Sequence, residues 1–196
     1  MKVLCIIPAR YASTRLPGKP LRDIAGKPMI VRVYERAVRA KRVQDVVVAT
    51  DDERIRAAVE AHGGRAVMTR ADHATGTDRL AEVAEKMTGY DLIINVQGDE
   101  PLIDPAVIDA LVEPFLADAQ LPMATAKTLL TDEEEITNPN NVKVITDLTG
   151  NALYFSRARI PYARNAGAKV YKHIGIYAYR RDFLLAYARM AQTPLE

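Results

Sequence analysis

The stretch VLCIIPARYASTRLPGKPL, residues 3–21, decides how this chain folds. Residues 3–7 form an uninterrupted apolar run, which is typical of a strand buried on both faces of a sheet. The residues that follow include three prolines and one glycine, together with the cations Arg10, Arg15 and Lys19. Because proline limits backbone freedom and glycine permits a tight turn, we expect these cations to converge on a stiffened loop at the end of the first strand.

Beyond this stretch, apolar runs alternate with amphipathic patterns. Further buried strands are predicted at residues 45–50, 66–68 and 92–96. Apolar side chains at helical spacing predict a helix at residues 30–38, and the cap candidates Asp51 and Asp52 predict the start of a second, short helix. A third helix is predicted at residues 80–87, with its start near Thr77, and a fourth at residues 108–115 after Asp104 and Pro105. The alternation predicts an α/β fold with a doubly wound, mainly parallel sheet.

The pattern changes after residue 122. Strand-like runs at residues 123–128, 142–146, 153–156 and 173–179 are separated by turn signals such as 149–151, without long helices between them. We therefore expect an added subdomain of mixed strands that includes a hairpin. No repeat and no Gly/Ser-rich linker divides the chain, so residues 1–196 are predicted to form a single domain.

Composition excludes several classes of function. The formal net charge of +2 is too small for general nucleic-acid binding, which needs a basic stripe, so any anion site must be local. Cys5 is the only cysteine, which rules out a disulfide framework and fits a cytoplasmic protein. The chain opens on a strand and has no run of eighteen apolar residues, so we expect neither export nor a membrane span.

Charge is nevertheless distributed unevenly along the chain. Residues 8–42 contain ten Lys or Arg and two acids, whereas residues 91–118 contain seven acids and no base. For Arg32, Arg36 and Arg39 the simplest interpretation is the solvated face of a helix.

Two loops are predicted at the carboxyl ends of parallel strands, where ligands bind in such folds. The first carries Arg10, Arg15 and Lys19, and the second places Asp99 after the strand at residues 92–96. Convergent cations suit a triphosphate, and a carboxylate suits Mg²⁺ that bridges phosphates. A solvated basic loop and an aspartate that caps a helix remain the structural alternatives.

Other common sites are excluded by their patterns. The chain lacks both a Walker loop and a Gly-x-Gly-x-x-Gly dinucleotide motif. His62, His73 and His173 lack zinc-ligand spacing, and His62 is expected on the surface at the end of a helix.

Motifs along the whole chain carry a family resemblance. They are IPARYASTRLPGKPL (7–21), ATD (49–51), MTRADH (68–73), GTDR (76–79), NVQGDEP (95–101), NPN (138–140), LYFSR (153–157) and HIGIY (173–177). In this order they resemble the 3-deoxy-manno-octulosonate (KDO) cytidylyltransferases, whereas the first motif alone would indicate only nucleotidyltransferases in general. The resemblance implies that CTP and KDO are the substrates and that Mg²⁺ is the cofactor, in agreement with the absence of nucleic-acid binding expected from the small net charge.

The resemblance also implies roles for individual residues. The nucleotide would be bound by Pro8, Ala9, Arg10, Ser13, Arg15, Lys19, Arg70, Thr75 and Gly76. Arg10, Lys19 and Asp99 would be catalytic, with Asp99 as the metal ligand, and the sugar would be bound by Gln97, Arg157, His173 and Tyr177. Structural alternatives exist for two of these groups: residues 70–78 can be read as a loop with a helix cap at Thr77, and the His173/Tyr177 pair as strand packing.

The resemblance further implies how the chain is divided. Residues 1–122 would form the nucleotide-binding half, and residues 123–196 the sugar-binding and homodimerisation half. Relatives continue past residue 196 with a Glu-Gln pair near the sugar and a second metal-binding Asp, so we expect this half to be truncated. Two rival functions follow: an enzyme acting on another acidic sugar or nucleotide, and a non-catalytic CTP-binding fragment.

Overall fold

The computed structural model describes residues 1–12, 16–164, 167–191 and 193, which group into two compact units. The first unit comprises Met1–Ala124 with Ile176–Glu196, and the second comprises Thr125–Gly175. The predicted functional halves, 1–122 and 123–196, stay a prediction about what each part of the chain binds.

The first unit contains most of the regular structure. Its strands are β1 (Val3–Ala9), β2 (Asp23–Ile24), β3 (Lys27–Pro28), β4 (Asp45–Thr50), β5 (Ala66–Met68) and β6 (Leu92–Asn95). Its helices are a 3₁₀ helix (Lys19–Leu21), α1 (Met29–Ala37), α2 (Glu53–Ala61), α3 (Gly76–Lys86), α4 (Pro105–Ala110) and α5 (Glu113–Ala117). Strand β7 (Met123–Leu130) starts in this unit and continues into the second.

The second unit is built mainly from strands. It contains α6 (Glu133–Thr137), β8 (Lys143–Thr146), β9 (Ala152–Ser156) and the first part of β10 (Val170–Arg180), which ends in the first unit before α7 (Arg181–Tyr187). Strand β8 pairs antiparallel with both β9 and β10. The predicted subdomain of mixed strands with a hairpin is therefore present.

The sheet of the first unit has the order β5-β4-β1-β6-β10. The pairs β1–β4, β1–β6 and β4–β5 are parallel, and the last strand runs antiparallel to β6. Leu4 and Ile6 pack in one core cluster with Leu80 of α3, and alternate residues such as Cys5 face the other side of the sheet. The predicted α/β class with a mainly parallel sheet is confirmed.

The predicted helix at residues 108–115 is wrong as a single element. The chain forms two short helices, α4 and α5, and Pro114 lies in the first turn of the second. Proline has no N–H to donate, and its ring clashes with the preceding turn, so the helix cannot continue through it. Asp104 caps α4 as expected, and the apolar side chains on either side of the break are buried.

One close approach brings the ends of β1 and β6 together. A Cβ placed on Gly98, just after β6, would lie 2.6 Å from the carbonyl oxygen of Pro8 in β1 and 3.5 Å from Cδ1 of Ile30. Only glycine allows the loop after β6 to lie this close to the first strand. Among the residues described, no helix has the length and apolar character needed to cross a membrane.

We predict that Gly98→Ala lowers stability by about 1–3 kcal/mol, because the added methyl group meets a backbone oxygen that cannot move aside. The measurement is urea-induced unfolding followed by circular dichroism. Gly175→Ala is the control, since a Cβ there meets nothing within 4 Å. Equal stability of the two variants would contradict the proposed packing.

Candidate nucleotide-binding site

The two predicted loops meet through Lys19 and Asp99. Lys19 begins the 3₁₀ helix directly after Gly18, whose φ of 69° is left-handed, and Asp99 follows Gly98. The ammonium nitrogen of Lys19 lies 2.5 Å from Oδ2 of Asp99. The cation of the first loop and the carboxylate of the second therefore share one position at the edge of the sheet.

This ion pair contributes little to stability. The Lys19 side chain is 39% exposed and that of Asp99 is 50% exposed. Exposed pairs of this kind stabilise proteins by about 0–1 kcal/mol, because water screens the charges and two side chains lose freedom. Both groups remain accessible to a ligand.

Tyr11 contacts the described residues on both sides of the cationic loop. The carbonyl oxygen of Tyr11 accepts a hydrogen bond from the N–H of Gly18 at 2.9 Å. The guanidinium carbon of Arg54 lies 3.4 Å from the centre of the Tyr11 ring, while a Cβ on Gly18 would lie 3.1 Å from that ring. The ring is thus held between α2 and the start of the 3₁₀ helix.

The remaining predicted residues of the first loop divide into two groups. Pro8 and Ala9 form the end of β1, half-buried and buried respectively, and Arg10 is exposed immediately after them. Ser13 and Arg15 lie outside the described residues.

The start of α3 lies near the same strand end. A Cβ on Gly76 would lie 4.0 Å from Cγ of Pro8. The helix cap is Thr75 and not Thr77: the Thr75 hydroxyl accepts from the N–H of Asp78, and the Asp78 carboxylate accepts from the N–H of Thr75. These two reciprocal hydrogen bonds satisfy two N–H groups at once, which explains why Thr75 caps the helix instead of the predicted Thr77. Thr75 thus has a structural role beside its predicted contact with nucleotide.

The segment from Arg70 to His73 is tied to α3 by Glu82. The Glu82 carboxylate accepts from the main-chain N–H of Arg70 at 3.0 Å and lies 2.6 Å from the Lys86 ammonium. It also pairs with Nε2 of the buried His73. Burial would raise the pKa of Glu82, but its bonds to Lys86, the Arg70 N–H and His73 lower that pKa to about 2.

The Arg70 side chain itself is exposed and lies 3.3 Å from the Asp72 carboxylate. An open cleft of about 580 Å³ extends from Arg70 and His73 along α3 to α7.

A second buried group lies beneath this segment. Arg79 is 1% exposed, donates to the hydroxyl of Thr69, and lies 3.3 Å from Oδ2 of Asp51. Asp52 rather than Asp51 caps α2, which leaves Asp51 for this pair. Arg79 belongs to the motif GTDR and Asp51 to the motif ATD, but no spacing in the sequence shows that these two side chains meet.

The predicted sugar-binding residues are divided between the two units. In the first, Gln97 is half-buried, and Tyr177 lies opposite Asn95 in the register of β10 and β6, with its ring centre 6.1 Å from that of Tyr179. Burial raises the pKa of Tyr177.

In the second unit, Nε2 of His173 lies 2.8 Å from the hydroxyl of Thr125, and the centre of its ring lies 4.8 Å from that of Phe155 in a T-shaped arrangement. Burial lowers the pKa of His173, which favours the neutral ring. Arg157 is exposed, and Nη1 of its guanidinium donates to the carbonyl of Pro139 at 2.9 Å. These contacts also suit ordinary packing, so the sugar-binding roles stay a prediction.

Asp99 suits the predicted magnesium ion. Mg²⁺ bound with a nucleotide takes one or two protein carboxylates and completes its shell with phosphate oxygens and water. Asp99 is a half-exposed aspartate beside Lys19, a lysine predicted to bind phosphate, and it offers this kind of ligand. Within residues 1–12, 16–164, 167–191 and 193, no cluster of three His, Cys, Asp or Glu side chains forms a metal site.

A mainly parallel α/β sheet that brings a lysine and an aspartate together at its carboxyl edge is the arrangement of a nucleotide-binding enzyme. The family model described as cytidylyltransferase matches residues 4–196. The chain belongs to the cytidylyltransferase family.

Three relatives are similar over nearly the whole chain. The 3-deoxy-manno-octulosonate cytidylyltransferase of Geobacter metallireducens is 55% identical over 208 residues, covering 100% of this chain and 82% of the relative. The protein of that name in Fusobacterium nucleatum is 55% identical, with 100% and 80% covered. A structure of CMP:2-keto-3-deoxy-manno-octonic acid synthetase complexed with CTP has a TM-score of 0.93 at 51% identity, covering 99% of this chain and 80% of that one. The predicted family resemblance is confirmed.

We predict that Glu82→Gln lowers the free energy of unfolding by about 3–4 kcal/mol at pH 7, since each unit of pKa shift corresponds to about 1.4 kcal/mol. The folded-state pKa is lowered from 4.5 to about 2, so this stabilisation is complete above pH 4.5 and is lost as pH falls towards 2. Urea unfolding at several pH values measures it.

The difference between the unaltered chain and Glu82→Gln should therefore shrink below pH 4.5. Glu60→Gln, at an exposed position of α2, is the control and should be neutral throughout. A Glu82→Gln effect that does not vary with pH would contradict the role of the ionised carboxylate.

Proposed function

We propose that this chain is a cytidylyltransferase that activates KDO, converting CTP and KDO into CMP-KDO and pyrophosphate. The contact between Lys19 and Asp99 carries the proposal, because it places a phosphate-binding cation and a metal-binding carboxylate at one position. The relatives of this name, at 55% identity over the full chain, and the CTP complex at 51% identity support the choice of substrates.

In the proposed reaction, the anomeric hydroxyl oxygen of KDO attacks the α-phosphorus of CTP in line, and the hydroxyl proton is released to water. The bond from that phosphorus to the bridging oxygen breaks, and pyrophosphate leaves with the bonding electrons. Arg10 and Lys19 stabilise the negative charge that develops on pyrophosphate, the main task of a protein in this chemistry. Pro8 and Ala9, at the end of β1, would lie beside the phosphates, and Ser13 and Arg15 are proposed to bind the nucleotide as well.

Asp99 would hold Mg²⁺, which when bound lowers the pKa of the attacking hydroxyl and neutralises phosphate charge. Arg70, Thr75 and Gly76 would contact the nucleoside, on the segment that Glu82 and the Thr75 cap hold in place. Arg157 suits the KDO carboxylate, because a guanidinium fork binds a carboxylate through two parallel hydrogen bonds. Gln97, His173 and Tyr177 suit the sugar hydroxyls.

The proposed product would supply activated KDO for lipopolysaccharide synthesis. We propose a cytoplasmic location, supported by the use of a single cysteine: Cys5 is buried in β1, and burial raises the pKa of its thiol to about 12. Such a thiol is unreactive and forms no part of a disulfide framework.

Lys19→Ala should lower the turnover number at least tenfold, since one cation that stabilises the leaving group is lost. Asp99→Asn should abolish both activity and its dependence on Mg²⁺. The measurement is pyrophosphate release from CTP and KDO, with CTP binding followed by calorimetry.

Lys41→Ala and Asp182→Asn are matched controls at exposed positions, one before the start of β4 and the other in α7. Unchanged pyrophosphate release in both site variants would overturn the assignment. CTP binding without turnover by the unaltered chain would favour the alternative of a non-catalytic nucleotide-binding protein. Release that depends on a different sugar or nucleotide would favour a related enzyme.

We also propose a homodimer that uses β9. Within the second unit, this strand pairs with β8 and lies at the end of the strand order. Leu153 is 64% exposed and Tyr154 62% exposed. Exposed apolar edge strands readily pair with another chain, so natural proteins cover or blunt them. In a twofold dimer, the same strand of a second copy of the chain would cover this surface.

Leu153→Lys should weaken the dimer and shift the sedimentation coefficient towards that of a monomer at low micromolar concentration. Leu148→Lys is the control, since Leu148 lies in the adjacent turn and is fully exposed. A dimer that persists equally in both variants would remove β9 from the interface.

A further inference from the structure

Lys143 is the most unusual side chain of the second unit. It lies in β8 with a relative exposure of 0%. Its ammonium nitrogen donates to three carbonyl oxygens: that of Asn138 at 2.9 Å, that of Asn141 at 2.8 Å and that of Arg157 at 2.7 Å. An ammonium has three N–H donors, so every donor of Lys143 has a partner.

Burying a lysine costs free energy, because its ammonium group loses water. At a position with a purely structural role, an apolar side chain avoids this cost. Among the ion pairs between described residues, Lys143 has no acidic partner. Burial, and then the like charge of Arg157, lower the pKa of Lys143. The three hydrogen bonds to carbonyl oxygens compensate for the water that the ammonium loses on burial.

The three carbonyls come from two separate segments. Asn138 and Asn141 belong to the turn after α6, and Arg157 follows the end of β9. Lys143 therefore joins this turn to the chain that carries Arg157.

The Arg157 side chain closes the same arrangement into a ring. Its Nη1 donates to the carbonyl of Pro139, in the turn that Lys143 holds. The main chain of Arg157 is fixed by Lys143, and its guanidinium is fixed by Pro139. A guanidinium has five N–H donors, so one bond to Pro139 is compatible with a bidentate grip on a carboxylate.

We propose that Lys143 is a positioning residue for Arg157. It fixes the turn at residues 138–141 and the Arg157 main chain together, so that the guanidinium is already oriented for the carboxylate of an acidic sugar. This inference rests on the proposed function, in which Arg157 binds that carboxylate. Pre-orientation matters because each side chain that must be ordered on binding weakens affinity.

The test compares Lys143→Met with the unaltered chain. Methionine keeps much of the volume but donates no hydrogen bond, so Arg157 loses its main-chain anchor. We expect the KM for KDO in pyrophosphate release, and its Kd from calorimetry, to rise at least tenfold. The KM for CTP should change less than twofold. Lys172→Met, at the position opposite Lys143 in the register of β10, is the matched control and should leave both constants unchanged.

The double variant Lys143→Met/Arg157→Ala separates positioning from an independent effect. If Lys143 acts through Arg157, the double variant binds KDO no more weakly than Arg157→Ala alone. If the two losses multiply, the inference is wrong.

Stability is followed in the same samples by thermal unfolding. A lower melting temperature with an unchanged KM for KDO would assign Lys143 a structural role only and overturn the inference. Should Lys143→Met fail to fold, Lys143→Arg retains donors at this position and is expected to raise the KM for KDO less than tenfold without affecting CTP. Equal changes in both KM values would again overturn it.

Failure of the proposed function itself gives a different result. In that case the unaltered chain neither releases pyrophosphate with KDO nor binds KDO, whatever residue stands at position 143.

Discussion

The close approach of Gly98 to the Pro8 carbonyl is the constraint on which the candidate site depends. Parallel strands end at the same edge of a sheet, but this alone leaves their loops several ångströms apart. A side chain at position 98 would force the second loop away from β1. Because glycine is there, Asp99 reaches the ammonium of Lys19, and a cation and a carboxylate from segments eighty residues apart in sequence meet.

Buried and half-buried charged groups then hold the exposed ones. Glu82 binds the main chain of Arg70, Arg79 binds Thr69, and Lys143 binds the main chain of Arg157. In each case a charged side chain of a helix or strand is bonded to a loop predicted to contact substrate. Charged groups with several hydrogen bonds are expensive to disturb in a protein interior, so they fix loop geometry more firmly than surface contacts do.

Much of this fold could be predicted from the sequence, because its signals are local. The apolar runs of β1, β4 and β6 and the caps Asp52 and Asp104 each depend on neighbouring residues alone. The break before Pro114 also has a local cause, because proline cannot continue a helix, although the apolar spacing runs on across it. Thr75 and Thr77 are both reasonable caps, and only the position of Asp78 three residues after Thr75 distinguishes them.

The site was less predictable, because its supporting contacts join distant residues. The carboxyl ends of parallel strands share one edge of the sheet, and this was enough to predict that the two loops lie together there. Nothing near Lys143 in the sequence distinguishes it from a surface lysine, since its three acceptors are backbone carbonyls, which every residue has. Glu82 and Lys86 look like an ordinary surface pair on a helix, although the same carboxylate also holds Arg70 and His73.

The exposure of the Lys19–Asp99 pair is itself suited to the proposed chemistry. Binding a metal-bound triphosphate requires both groups to exchange part of their mutual contact for phosphate oxygens and a cation. Separating an exposed pair costs about 1 kcal/mol or less, whereas breaking a buried pair costs about 3–5 kcal/mol. Exposed charges, such as those of Lys19 and Asp99, therefore lie where binding partners must be exchanged. Buried charges, such as those of Arg79 and Lys143, lie where the geometry of the loops must stay fixed.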